Sequence, residues 1–138
     1  MNSNIAWQST RSSKSKNILH LVFVTKYRRP VFNSEMLTSC EALMQKICAS
    51  NNVFLHEFNG ERDHVHLMVQ VPPTVAIAVV VKKLKGCSSR YLRDNYWKNI
   101  KPYLWGNHFW SPSYWCVSCG VATIKRIREY IESQDRPS

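Results

Sequence analysis

The sequence is poor in glycine and in acidic side chains, and it has no long apolar run. Only four of its 138 residues are glycine. No G-x-x-x-x-G-K-[ST] segment occurs, which removes the loop that wraps a nucleotide's phosphates. No window of about 18 apolar residues exists, so no membrane-spanning helix is expected. The opening stretch MNSNIAWQSTRSSKSKN lacks the continuous apolar core of a secretory signal. Residues 1–17 read as a polar, largely disordered arm, and residues 18–138 as a single domain without repeat or linker. The five cysteines are odd in number and irregular in spacing, which points to reduced thiols in a cytoplasmic protein. Cys116 and Cys119 form a lone C-x-x-C. A structural zinc site needs a second pair and a redox pair needs a strand-to-helix setting, so the thiols read as small apolar fillers.

What is present in excess is positive charge. Nineteen Lys and Arg face nine Asp and Glu, a net +10 on a chain that is 44% hydrophobic. That is a globular composition whose charge suggests a polyanionic partner, nucleic acid or an anionic membrane surface, the other reading being a charge that serves solubility.

Hydrophobic patterning divides the chain into elements. Residues 17–26 (NILHLVFVTK) read as a strand. Asn33 or Ser34 caps a helix over 34–50, where Leu37, Cys40, Leu43, Met44, Ile47 and Cys48 recur at helical spacing. Residues 53–59 and 64–71 are strands joined by GERD, a hairpin turn, and Pro72-Pro73 ends the second. Thr74 caps a helix through VAIAVVVKKLKGCSSRYLRD, ending at Asp94, the following residues to 107 read as an aromatic loop, and 108–119 as a strand or short hairpin. Residues 121–134 form a last helix with Ile124, Ile127 and Ile131 on one stripe. The order β-α-β-β-α-β-α predicts an α+β, ferredoxin-like or RNA-recognition-like sandwich with a mostly antiparallel sheet.

The segment RDHVHLMVQVPP, residues 62–73, carries the chemistry. Strand side chains alternate, so His64, His66, Met68 and Gln70 share one face, and Val65, Leu67, Val69 and Val71 form the apolar other. The imidazoles stand side by side, about 7 Å apart at Cα, and side chains of that length can converge on one cation. Other H-x-H chemistries are excluded. Met68 stands where a histidine-triad hydrolase needs histidine, and Met68-Val69 where a metallo-β-lactamase-like site needs Asp-His. A paired H-x-T phosphoesterase needs a second copy. Two histidines do not complete a catalytic metal site. On the last helix Tyr130 and Gln134 are spaced i, i+4 and share a face. A phenol is a nucleophile when activated, and a glutamine carbonyl suits a nitrogen–oxygen site for Mg or Mn.

His64-Val65-His66 on a strand followed by Y-x-x-x-Q at 130–134 resembles the HUH single-tyrosine transposases of small insertion sequences, the TnpA type, and their REP-associated relatives. HLVFVTKYRRPVF (20–32), DHVHLMVQVPP (63–73), KKLKGCSSRYLR (82–93), FWSPSYWCVSCG (109–120) and YIESQ (130–134) carry the same resemblance. It implies that His64, His66 and Gln134 hold a divalent metal, Mg or Mn. It implies that Tyr130 attacks single-stranded DNA, leaving a 5′-phosphotyrosine and a free 3′-OH that a second end can rejoin. It further implies recognition of end hairpins, a homodimer in which the tyrosine helix can act in trans, a prokaryotic cytoplasmic location, and no membrane or nucleotide cofactor. Lys26, Arg28, Arg29, Lys82, Lys83, Lys85, Arg90, Lys125, Arg126 and Arg128 would meet phosphates. Tyr27, Trp105, Phe109, Trp110 and Trp115 are candidates for stacking bases. Two alternatives stay open: a non-catalytic basic nucleic-acid-binding module, and a domesticated relative that processes repeat hairpins.

Overall fold

The computed structural model describes residues 5–9, 14–103, 106 and 108–137. Two short strands, β1 (Gln8–Ser9) and β2 (Lys14–Ser15), pair antiparallel ahead of the main sheet. The sheet contains β3 (Ile18–Val24), β4 (Phe54–Gly60), β5 (His64–Gln70) and β6 (Trp115–Ser118) in the order β4-β5-β3-β6, all antiparallel. Helices α1 (Ser34–Ser50) and α2 (Ile77–Ile100) follow β3 and β5, and α3 (Ile124–Glu132) closes the chain. The expected α+β sandwich with an antiparallel sheet is what forms. No helix among the described residues is long and apolar enough to cross a membrane.

Strand parity sets the layers. Leu19, Leu21 and Phe23 of β3 and Val65, Leu67 and Val69 of β5 face Met36, Leu37, Cys40, Met44 and Cys48 of α1 and Val80, Val81, Leu84 and Leu92 of α2, all buried. The opposite face buries a smaller cluster of Ile5, Ile18, Met68, Cys119 and Ile131, with Ile124 and Ile127 packed against it. The sheet is therefore covered on both sides, by α1 and α2 on one and by α3 with the arm on the other. Cys40, Cys48 and Cys119 are buried free thiols in these cores. Burial pushes the Cys40 thiol up to about 12, so it stays protonated and inert.

Four boundaries differ from expectation, each for a packing reason. Ile5 is buried and Gln8 donates from Nε2 to the Asn52 carbonyl at 2.7 Å, so this part of the arm is fixed to the body rather than disordered. Helix α2 starts at Ile77 without a side-chain cap and runs past Asp94 to Ile100. Leu92, Tyr96 and Ile100 keep helical spacing into the core, and the Tyr96 hydroxyl meets Ser39 Oγ at 2.6 Å despite a kink at Tyr96 (φ −131°). Strand β6 is confined to 115–118, because Phe109 and Trp110 turn into the core and Trp110 Nε1 donates to Ser88 Oγ. Helix α3 occupies 124–132 rather than 121–134, so Gln134 lies just beyond it.

The β4–β5 turn is tight. A Cβ built on Gly60 would sit 2.6 Å from the His64 carbonyl oxygen and 3.0 Å from both Leu37 Cδ2 and Val65 Cγ1. Backbone cannot yield cheaply there, so Gly60→Ala is expected to lose about 2 kcal/mol of stability by overpacking. A urea or thermal melt matching the parent would show that the turn gives way freely.

Candidate active site

The register brings three histidines together. Across the β3–β5 ladder Val24 faces His64, Val22 faces His66 and His20 faces Met68, so His20 shares the face of the pair and stands diagonal to His66. His20 Nε2 lies 3.0 Å from His66 Nδ1, with the rings stacked at 5.2 Å. The His64 and His66 rings meet edge-on at 4.9 Å. Helix α3 crosses β4 and β5 above them and lays the Tyr130 ring edge-on against His66 at 5.4 Å within the same chain. Tyr130 remains 53% exposed, whereas His66 is only 5% exposed.

Each proposed ligand has one atom held and one atom presented. His64 Nδ1 is 2.7 Å from Asp63 Oδ1. Its Nε2 lies 3.4 Å from Gln134 Oε1, so with the Nδ1 proton on the carboxylate side Nε2 is the nitrogen that could face an ion. Gln134 Nε2 donates to the Tyr130 carbonyl at 3.2 Å, which fixes the amide with its oxygen on the histidine side. His66 Nδ1 is engaged by His20, and its buried Nε2 makes no hydrogen bond of good geometry, the Gln134 side chain interacting with it only loosely. Burial, then the neighbouring His64 and His20, lowers the His66 pKa to about 4, with Gln134 opposing. Burial also lowers that of His20. His66 is thus neutral at physiological pH, as a ligand must be.

The His64 Nε2 and Gln134 Oε1 atoms, 3.4 Å apart beside the buried His66 ring, could both turn to a cation. The Asp63–His64 contact is the carboxylate–histidine support typical of metal ligands. Among the described residues no group of three or more His, Cys, Asp or Glu side chains could hold an ion. Two imidazoles and one amide oxygen, those of His64, His66 and Gln134, could hold an ion, and such a set would suit Mg or Mn.

Residues that sequence alone did not single out hold this geometry. Asn59, opposite His66 on β4, donates from Nδ2 to the carbonyls of Ile131 and Gln134, both at 3.0 Å. It thereby caps α3 and anchors Gln134. Its Oδ1 accepts from Arg136 Nε at 2.7 Å, and Arg136 also pairs with Glu41 at 2.7 Å. The signals for His20, Asn59 and Asp63 lay in strand parity and register, which a sequence gives only in part.

The cations divide. Thr25, buried, donates from its backbone N–H and Oγ1 to the Asp63 carbonyl and from Oγ1 to the Arg29 carbonyl. The following 3₁₀ turn places Tyr27 and Arg28 at φ 59° and 54°, left-handed backbone that costs on the order of 1 kcal/mol or more per residue. This turn sets Lys26, Arg28 and Arg29 beside the site, with Arg28 Nε 3.5 Å from Asp63 Oδ2. Arg126 is exposed one helical turn before Tyr130. Lys83 and Arg90 are exposed on α2, across the sheet. Lys85 is turned inward, donating to the Ser111 carbonyl at 2.6 Å. Arg128 lies under α3, paired with Glu57 at 3.0 Å. Tyr27 and Trp115 are exposed, Phe109 and Trp110 are core, and Trp105 lies outside the described residues.

An antiparallel sheet with a histidine pair on one strand and a tyrosine laid over it by the last helix is the arrangement of the HUH single-tyrosine transposases. Residues 13–134 match the family described as "Transposase IS200 like", and the chain belongs to it. It is 36% identical over 115 residues to the ISDra2 transposase TnpA of Deinococcus radiodurans, spanning 83% of this chain and 81% of that one. It is 31% identical, again over 115 residues, to the transposase for insertion sequence element IS200 of Salmonella typhimurium, spanning 83% and 74%. A crystal structure described as a transposase of Deinococcus radiodurans superposes with TM-score 0.75 at 30% identity, over 95% of this chain and 99% of that one. A REP-associated tyrosine transposase bound to a REP hairpin shares the fold, with TM-score 0.64 at 12% identity over 90% and 70%. The protein is a DNA-processing transposase of the IS200-like family.

Proposed function

We propose that the chain cuts and rejoins single-stranded DNA at element ends through a covalent 5′-phosphotyrosine, with Tyr130 as nucleophile and His64, His66 and Gln134 as holders of Mg or Mn. The observation that carries this reading is the half-exposed Tyr130 ring 5.4 Å from a buried imidazole whose Nε2 makes no hydrogen bond of good geometry. The Tyr130 oxygen bonds to phosphorus while the bond from phosphorus to O3′ breaks. The phenol proton is lost and the departing 3′ oxygen gains one. When bound, the ion supplies charge stabilisation at a phosphate oxygen. Asp63 and His20 orient the imidazoles, and Asn59 keeps Gln134 in place. The tyrosyl ester preserves the phosphodiester's energy, so a second 3′-OH can reverse the step without a nucleotide cofactor.

Lys26, Arg28 and Arg29 on the turn after β3, and Arg126 on α3 one turn before Tyr130, are read as phosphate contacts, which makes binding salt-dependent. Lys83 and Arg90 offer a separate basic face. Hairpin recognition is supported by the solved hairpin complex of the shared fold. A homodimer has a candidate surface in β6, an edge strand whose four residues are all exposed, Trp115 and Val117 included.

The test is incubation with labelled single-stranded element ends and Mg or Mn, read on a denaturing gel. A protein–DNA adduct that appears with the ion and vanishes with chelator is expected. An undiminished adduct under chelation removes the ion from the reading. No adduct with any end or metal leaves a non-catalytic binding module.

A further inference from the structure

A cleft of about 730 Å³ opens between the arm and the junction of α1 with β4, within the size range of small-ligand sites, roughly 300–1,000 Å³. It lies away from His64 and His66, with His56 beside its wall at 6.2 Å between the Phe54 and His56 ring centroids. Phe54, on its wall, pairs with Gln70, six residues along β5 from His64, which is about 20 Å at strand rise. Its arm residues Trp7, Gln8 and Ser9 precede the family match at residue 13.

The walls combine three features. Trp7 and Phe54 are large aromatics left 61% and 57% exposed at the same opening. Beside the cleft rather than on its wall, Lys16 sets its ammonium 4.7 Å from the Trp7 ring centroid, so one ring face carries a cation. The polar lining is uncharged, amides together with the hydroxyl residues Ser9 and Thr74. Gln45 and Asn52 are exposed at the cleft, and no carboxylate lines it among the described residues. Gln8 is only 8% exposed, with Nε2 held by the Asn52 carbonyl and Oε1 left without a hydrogen-bond partner. Aromatic faces, amides that read polar edges, and a cation for phosphate form the chemistry that holds a single-stranded nucleotide.

We propose that this cleft binds one unpaired nucleobase of the DNA strand, held by both Trp7 and Phe54, with Lys16 on its phosphate. The inference rests on the single-strand DNA reading of the histidine site and extends it with a second contact point upstream or downstream of the reacting phosphate. The cleft lengthens the bound strand and sets which stretch of it lies over Tyr130.

The probe is a pair of labelled thymidine oligomers of about 3 and about 16 nucleotides, the shorter too short to span the roughly 20 Å between the two sites at about 3.4 Å per nucleotide. Trp7→Ala and, separately, Phe54→Ala are expected to weaken the longer oligomer about tenfold. The shorter one, bound at the histidine site, keeps its affinity, and Trp7→Phe retains most of the longer oligomer's. Parental binding of both oligomers by both alanine variants overturns the proposal. So does an equal loss for both lengths, which signals damage to the fold or a general charge effect. The adduct assay separates the two readings. If the parent forms no adduct but Trp7 still governs long-oligomer affinity, the catalytic reading fails and the cleft stands. If adduct forms and the alanine variants change nothing, the cleft alone fails.

Discussion

Tyr130→Phe is expected to abolish covalent attachment to DNA, by at least about a thousandfold, while leaving single-strand affinity and the melting curve near parental values. The size follows from removing the only atom assigned to the bond-forming step, since deleting a nucleophile costs orders of magnitude rather than a factor of a few. The selectivity follows from the geometry. The Tyr130 ring meets His66 edge-on and is 53% exposed, and phenylalanine keeps that edge contact. No hydrogen bond of the Tyr130 hydroxyl is needed to hold α3. Ile131 is buried beneath the helix, and Asn59 holds its last carbonyls. The stability change should stay within about 0.5 kcal/mol, the usual range for a surface substitution. A phenylalanine variant that still forms the adduct at the parental rate would mean that another group attacks.

How far the site could be read from sequence depended on which rules are local. Strand alternation is local, so His64 and His66 were placed on one face and the valine run on the other. The i, i+4 relation of Tyr130 and Gln134 is local too, although Gln134 lies beyond the helix and reaches the histidines because Asn59 binds its carbonyl. His20 was not legible as a site residue. Its place beside His66 depends on the β3–β5 register, and register is a long-range property. Charge is a count in a sequence but a direction in a fold. Lys85 and Arg128 add to the net +10, yet both turn inward to satisfy carbonyls or Glu57. The overrun of α2 past Asp94 shows that buried Ile100, at helical spacing from Leu92 and Tyr96, outweighs a run rich in aromatics. In the arm, Ile5 and Gln8 are isolated in a polar stretch, and isolated residues carry no periodic signal.

His66→Leu is the second large effect, and it separates chemistry from folding. The imidazole occupies a costly position. It is 5% exposed, its Nε2 makes no hydrogen bond of good geometry, and burial with two neighbouring histidines drives its pKa to about 4. A folded chain keeps such a group only if something compensates, and metal binding is the compensation its free nitrogen fits. Leucine has similar bulk and no poorly satisfied nitrogen, although it deprives His20 Nε2 of its 3.0 Å partner. The metal-free variant should therefore melt within about 1 kcal/mol of the parent, the two terms opposing each other. Metal dependence is where the two proteins part. For the parent, Mn at a hundredfold excess over its dissociation constant adds about 2.7 kcal/mol of stability by mass action, visible as a rise of several degrees in Tm. The leucine variant should show no such rise, and its adduct formation should fall by at least about a thousandfold with binding of single strands retained. The melting data do not rely on turnover, so they test the ligand role independently of the reaction. A His66→Leu protein whose Tm still climbs with Mn as the parent's does would place the ion elsewhere and leave the buried imidazole without a purpose.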